Sequence, residues 1–277
     1  MSSKNKATNT ELWDKNRNTI RSSKGGWIMG KGVFSHGYDM MEDLVGHKSY
    51  MQVLILNATG RMVSRDLADW MGAANICLSW PDPRIWCNQI GALGGTARTS
   101  VVAATTAGVV AADSRAYGSK PLVAGVEFIQ QAQREFLQGK SAETIVKDEC
   151  ARHAGKPFIM GYARPIAKGD ERIPAMERVS KSLGFGVGAH LALAYEIEKI
   201  LMRDFDEGMN INGYGSAFLA DQGFSAEDVY RIFLNTVTSG VTACYVDAAS
   251  KPEGTFLSLR CDDIKYEGKG HRAVPKR

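Results

Sequence analysis

Apolar residues along the chain recur mostly at helical spacing, and the exception comes early. Between Gly26 and Phe34 two short extended pieces flank a Gly30-Lys31-Gly32 turn, which predicts a β-hairpin. Tyr50, Val53, Leu54 and Leu56 then form an apolar stretch that stops at Thr59-Gly60. Ser64 stands where it can cap a following helix whose Leu67, Trp70 and Met71 share one face. Pro81 and Pro83 break the chain inside WPDPRIW. From 91 to 116 Ala, Gly, Ser, Thr and Val dominate, and side chains that small let helix backbones approach closely, so central packed helices are expected. Ser141 with Thr144, and Ser225 with Asp228, mark two more helix starts. Arg178 to Arg203 reads as one long helix with Gly184, Gly186 and Gly188 inside it. Those glycines lack GxGxxG spacing and a preceding strand, which favours close helix packing over phosphate binding. The pattern predicts a mainly α protein with a short N-terminal β-hairpin.

Composition narrows the class. With 277 residues, 44% hydrophobic and 23% charged, the chain can bury a substantial core as one large domain or two lobes. A net charge of +4 falls short of the dense basic clustering of a nucleic-acid binder, while a small polyanion suits it equally well. The five cysteines are odd in number and show neither CxxC nor metal-ligand spacing, so a reduced, cytoplasmic protein without a metal is expected. Residues 1–18 are polar and read as a flexible leader. The longest uncharged run, Thr99 to Ala112, is too short for the roughly 20 apolar residues of a membrane span and is expected to be a buried helix.

Candidate chemistry is sparse outside one loop. No GxSxG or HExxH pattern occurs. His36 stands three residues before Asp39, so it is either a base oriented by that carboxylate or a turn residue bonding the backbone. His190 sits on an apolar helical face, as a satisfied core histidine would. The loop MGYARPIAKGDER, 160–172, places Arg164, Lys168 and Arg172 four residues apart although Pro165 and Gly169 oppose a regular helix. It is either an anion site, where guanidinium forks and a lysine converge, or a solvated turn whose Asp170 and Glu171 neutralise the bases.

Motif order separates these alternatives. GVFSHGYDMMEDLVGHKSYMQVLILNATGRMVS resembles the N-terminal part of the citrate synthase superfamily, especially its short citryl-CoA lyase-like members. GYARPIAKGDER is similar to that family's GFGHPxxKxxDPR loop, NINGYGSAFLADQGFSAEDV to its NVDxxxAxLLxDLGFPxE segment, and IKYEGKGHRAVP to its YxGPxPRPxP tail. The resemblance spans about 20 to 275. It implies a large helical domain (19–125 and 213–277), a small helical domain (126–212), and a cleft that binds an acyl-CoA and a small carboxylate or keto acid. It also implies a homodimer with a shared active site. The CoA thioester would be a substrate, with no permanently bound cofactor.

The resemblance breaks at the catalytic positions. The family's first histidine falls on Val123, its second on Arg164 and its aspartate on Asn212. A further arginine falls on Val237, and the histidine of a GxxAH-like motif on Cys244. Lys168, Arg172 and Arg272 survive as anion ligands, with Tyr162 beside them in the loop. Asn212 cannot take a proton from carbon, Val123 can neither donate nor accept, and Arg164 stays charged near neutrality. Two functions follow. One is a carbon-carbon lyase or synthase with an altered site, in which Arg164 and Asn212 stabilise charge and His36, Asp39 or Tyr162 stands in as base. The other is a catalytically silent protein that binds CoA or a carboxylate, or regulates an active homologue.

Overall fold

The computed structural model describes residues 10–164, 169–256 and 260–275, with the side chain of Cys261 excepted. The chain divides into two compact units, 1–69 and 70–277.

The first unit opens with helix α1 (Glu11–Asn16) and a three-stranded antiparallel sheet, β1 (Gly25–Ile28), β2 (Gly32–Ser35) and β3 (Tyr38–Asp39), in the order β1-β2-β3. The predicted hairpin is present, with Gly26 opposite Phe34 and Ile28 opposite Gly32. Its connection is Met29-Gly30-Lys31, one residue earlier than expected, and Gly30 takes the left-handed φ of +71° that the tight loop requires. A π-turn at Met40–Leu44 follows. Helix α2 (Tyr50–Thr59) starts at a Ser49–Gln52 capping box and stops at Gly60 in the left-handed region. Helix α3 (Arg65–Leu78), whose residues from Trp70 onward belong to the second unit, begins where Ser64 Oγ accepts the Leu67 amide, as expected, and Leu67, Trp70 and Met71 are all buried.

The second unit carries the remaining helices: α4 (Trp86–Thr96), α5 (Val101–Ala112), α6 (Lys120–Leu137), α7 (Ala142–Arg152), α8 (Arg172–Ser182), α9 (Ala189–Phe205), α10 (Ile211–Asp221), α11 (Ala226–Phe233) and α12 (Thr238–Ala249). Helix α10 buries nine of its eleven residues, which makes it the axis on which α6, α8 and α9 pack. Phe218 stacks on Trp70 with ring centroids 3.8 Å apart, and Trp70 Nε1 donates to Ser180 Oγ, itself bonded to the Tyr214 hydroxyl. The small residues of α4 and α5 pack against α12, as their composition predicts. A Cβ added at Gly91 would lie 2.4 Å from the Val241 carbonyl oxygen, and one at Gly94 2.4 Å from Ala104 Cβ.

Three expectations need correction. Arg178 to Arg203 is not one helix: α8 ends at Ser182, Gly184 turns left-handed at φ +79°, and α9 restarts at Ala189. Three glycines in five residues remove the helical preference, and Asp221 from α10 supplies the new start by accepting the His190 and Leu191 amides. Gly188 is needed there, since its Cβ would meet that carboxylate at 2.3 Å. His190 is consequently half-buried rather than in the core, with Nδ1 2.9 Å from Asp221 Oδ1. Burial alone would raise the Asp221 pKa, but the bonds from His190 and the two amides hold it below the usual range. Third, α5 is buried only through Ala104, Gly108 and Ala112, while Val101, Val102 and Val110 of the uncharged run are exposed.

Candidate functional site

A cleft of about 400 Å³ lies within the second unit, a size that suits a small organic ligand. Arg164, Arg172 and Asn212, predicted from sequence, all line it. The local chain explains how. Gly161 and Gly213 touch backbone to backbone, where a Cβ on Gly161 would lie 2.6 Å from Gly213 Cα. The Ala163 amide donates to the Gly208 carbonyl and the Asn210 amide to the Gly161 carbonyl. Asn210 also caps α10 by accepting the Asn212 and Gly213 amides, and its Nδ2 donates to the Ala163 carbonyl. Thus clamped, Ala163 adopts φ +63°, a costly conformation for a residue with a Cβ, and the chain presents Arg164 to the cleft.

Both arginines carry acidic partners. Asp170, whose side chain is 0% exposed, accepts from Arg172 Nε at 2.7 Å, Arg172 Nη2 at 2.6 Å and the Ile211 amide at 2.8 Å. Burial pushes its pKa up, yet the Arg172 fork and the two backbone amides outweigh that and hold the carboxylate ionised below the usual range. Arg172 Nη1 also reaches the Cys77 carbonyl. Arg164, only 12% exposed, forks onto Glu171, and its Nη1 stands 3.7 Å from Asp170 Oδ1. The Glu171 bond is the main cause of its raised pKa. Glu171 itself is 71% exposed, so water competes for that bond as it cannot for the buried Asp170 pair.

The other wall is aromatic. Trp80 and Trp86 flank the cleft from the WPDPRIW segment, and Tyr117 packs edge-on against Trp86 with centroids 5.1 Å apart. Burial pushes the Tyr117 hydroxyl up to about 12, so it stays protonated near neutrality. Asn88 fixes the segment by donating to the Trp80 and Asp82 carbonyls. Two polar atoms of cleft-lining residues, Asn212 Oδ1 and Thr236 Oγ1, are enclosed without a hydrogen-bond partner among the described residues. Sequence reading missed Trp80, Trp86, Tyr117 and Thr236. The aromatics bracketing Pro81 and Pro83 were a usable signal, whereas nothing local marks Thr236.

Other expected site residues lie elsewhere. Val123 is half-buried in the first turn of α6, outside the cleft lining. Tyr162 is buried, its hydroxyl donates to the Ala194 carbonyl on α9, and burial pushes its pKa well above the ordinary phenol value. Arg272 is exposed on the C-terminal segment and is not part of the lining. Lys168 lies outside the described residues. Val237 lines the cleft. Cys244 lines a separate pocket of about 360 Å³ beside α12. His36 belongs to the first unit, in a turn at φ +51°; its amide donates to the Lys24 carbonyl, and Nε2 is enclosed without a partner among the described residues. Of the two readings of His36, the turn residue bonding the backbone is the one observed; Asp39 Oδ1 instead accepts the Met41 and Glu42 amides. Among the described residues no group of three or more His, Cys, Asp or Glu is placed to hold a metal, and no helix is long and apolar enough to cross a membrane.

The chain carries the fold of the citrate synthase superfamily, in agreement with the resemblance of its motifs. It is similar to citryl-CoA lyase from Hydrogenobacter thermophilus, with 22% identity, a TM-score of 0.78, and coverage of 92% of this chain and 97% of that one. Against ATP citrate lyase from Methanothrix soehngenii, solved in complex with citrate and coenzyme A, identity is 14% and the TM-score 0.75; the match covers 99% of this chain but 46% of the longer one. Citrate synthase from Thermoplasma acidophilum, in a ternary complex with carboxymethyl coenzyme A and oxaloacetate, matches at 15% identity and a TM-score of 0.56, over 82% of this chain and 59% of that one. No protein-family model matches the chain. No curated protein sequence matches it either.

Proposed function

We propose that the protein binds an acyl-CoA together with a carboxylate-bearing acyl or keto-acid group and makes or breaks a carbon-carbon bond in the cleft. The observation that carries this reading is the convergence of Arg164, Arg172 and Asn212 on one cleft, in a fold shared with proteins solved with citrate, oxaloacetate and coenzyme A. The cleft gathers residues on both sides of the proposed domain division: Leu78, Trp80, Trp86, Tyr117 and Thr236 among those of the large helical domain, and Ala163, Arg164, Arg172, Asn210 and Asn212 of the small one. CoA acts as a substrate, no resident cofactor or metal is required, and the chain works as a homodimer in the cytoplasm. The exposed valines of α5 supply apolar surface for a second copy.

The chemistry differs from enolisation by a carboxylate base. Asn212 does not remove a proton from carbon. An enolate can instead arise when a carboxylated thioester loses carbon dioxide: the bond to the carboxylate breaks and its electron pair passes into the thioester enolate. The Arg164 guanidinium and the Asn212 amide stabilise that developing charge. Cleavage of a citryl-CoA-like thioester is the alternative direction, and it needs a base to deprotonate the tertiary hydroxyl, a role that none of the described cleft-lining residues supplies.

A purified sample incubated with a panel of malonyl-, acetyl- and citryl-type CoA thioesters, with and without keto acids, should form or cleave a carbon-carbon bond. Arg164→Ala should lower that turnover about 100-fold, as loss of a charge-stabilising donor does in other enzymes. Absence of turnover with every thioester would overturn the reading. One observation favours the second function, a silent binding or regulatory protein: both cleft arginines are already neutralised by Asp170 and Glu171. Binding of CoA without turnover, or co-purification with a catalytically complete homologue, identifies that case.

A further inference from the structure

From the make-up of the cleft we infer that its acyl or keto-acid partner is a flat, aromatic or similarly apolar group bearing a single carboxylate, rather than a small polycarboxylate. The inference rests on the reading that this cleft is the substrate site, and it specifies the substrate class.

The cations of the cleft bear on the charge its ligand can carry. A polycarboxylate needs one fixed cation or several strong donors for each charge it leaves in a half-enclosed site. Among the described lining residues there are two guanidinium groups, and they are not equivalent. Arg172 is bound through two nitrogens to a carboxylate with 0% exposure, which also holds the first amide of α10, so a ligand cannot displace that acid without opening the helix start. Arg164 is held by Glu171, which lies 71% exposed and can turn into water. Among the described lining residues one guanidinium is therefore exchangeable, and it can take one carboxylate of the ligand.

The opposite wall is aromatic. Trp80 and Trp86 line the cleft and are 38% and 41% exposed, and Tyr117, also in the lining, is edge-on to Trp86. Partly exposed aromatic side chains in a cleft are suited to a planar apolar ligand by offset stacking or edge contact, and they favour it over an aliphatic polycarboxylate. Leu78, Ile85 and Val237 extend the apolar lining.

Two unpaired polar atoms define the polar end. Thr236, 6% exposed, has a hydroxyl without a partner among the described residues, and so does the Asn212 amide oxygen. A buried hydroxyl left unpaired is costly unless a ligand atom completes it. A ligand carbonyl can accept from the Thr236 hydroxyl, and a ligand hydroxyl can donate to Asn212 Oδ1. Such a ligand has a flat apolar body, one carbonyl or hydroxyl, and one carboxylate.

Calorimetric titration of the full-length protein with phenylpyruvate, oxaloacetate, citrate and CoA tests this. Phenylpyruvate should bind at least about tenfold more tightly than oxaloacetate or citrate, the difference expected from placing one aromatic ring against partly exposed indoles. Trp80→Leu should weaken phenylpyruvate about tenfold and leave oxaloacetate within about twofold, whereas Thr236→Val should weaken both keto acids, because both present a carbonyl. Circular dichroism of each variant establishes that it is folded; should Trp80→Leu not fold, Trp86→Phe serves in its place. Equal or tighter binding of oxaloacetate or citrate, an unchanged phenylpyruvate affinity in Trp80→Leu, or no binding of any acid would overturn the inference. CoA binding and turnover without aromatic preference sinks this inference and leaves the proposed function intact. Aromatic preference without CoA binding does the reverse.

Discussion

Two regions of the second unit are packed equally closely by opposite means. Where α4 and α5 meet α12, contact depends on missing atoms: Gly91, Gly94 and Gly108 leave backbones and methyl groups within contact distance, and each added Cβ would lie under 3 Å from a neighbour. Where Asp170 and Arg172 meet the start of α10, contact depends on charge. Asp170 gathers Arg172, the Ile211 amide and, at 3.7 Å, Arg164. The first region tolerates no enlargement and has no pH dependence of its own. The second has room for ligands and depends on ionisation.

The largest expected effect breaks the charged region. Asp170→Asn leaves the Arg172 guanidinium, 22% exposed, without its counter-charge, and loss of one partner from a buried pair costs about 3–4 kcal/mol in chemical denaturation. The pH dependence has a definite sign. The folded pKa of Asp170 is depressed, so its stabilisation is complete above the unfolded value of about 4 and is lost as pH falls through the folded value. Wild type should therefore lose stability steeply on acidification below about pH 4, and Asp170→Asn should flatten that acid limb. A variant with the full wild-type acid slope would show that the pair contributes no pH-dependent stability.

Next in size is a test of the small-residue region. Gly91→Val places branched carbon atoms against the Val241 carbonyl oxygen, 2.4 Å from where the new Cβ would sit. The helices must separate, at a cost of about 2–3 kcal/mol, the upper range for overpacking a close-packed site. The loss should be independent of pH between about 4 and 8, in contrast with the Asp170 variant. If the two variants show the same pH profile, the distinction between the regions fails.

The two regions also differ in how far the sequence discloses them. A run of Gly, Ala and Val at 91–112 states its packing locally, because close approach needs only small side chains, and α4 and α5 follow it. What that run withholds is which face meets the core, and Val102 and Val110 are exposed. The hairpin, the α2 and α3 boundaries and the Ser141 and Ser225 caps were legible for the same reason, since each is decided within a few residues. The long helix over 178–203 was misread because its interruption is stabilised by Asp221, a residue remote from Gly188 in the chain. At the cleft, motif order placed Arg164, Arg172 and Asn212 together. The aromatic wall and Thr236 come from segments whose roles are fixed only by tertiary contact. Tyr162 sat in the right loop, yet its side chain turns inward to α9, where its hydroxyl donates to the Ala194 carbonyl, and the left-handed turn at Ala163 then brings Arg164 to the cleft.

The smallest expected change in stability is the most informative about the cleft. Glu171→Gln removes the exposed partner of Arg164 and should alter stability by less than about 0.5 kcal/mol, the range of surface ion pairs. The guanidinium remains positioned, since Asp170 stays 3.7 Å away and Arg164 is largely enclosed. Its charge is then neutralised by one carboxylate fewer, and a ligand carboxylate no longer competes with Glu171. Phenylpyruvate should bind about threefold more tightly, the fold-change that corresponds to an exposed pair's contribution, and the gain should shrink as salt screens the site. Binding that weakens instead would mean that Glu171 holds Arg164 in the orientation the ligand needs, and that the pair, rather than the free cation, is the recognition element. The same substitution in the Asp170→Asn background separates these cases: if Glu171 merely competes, the affinity gain survives the loss of the buried acid, and if it orients Arg164, both substitutions weaken binding together.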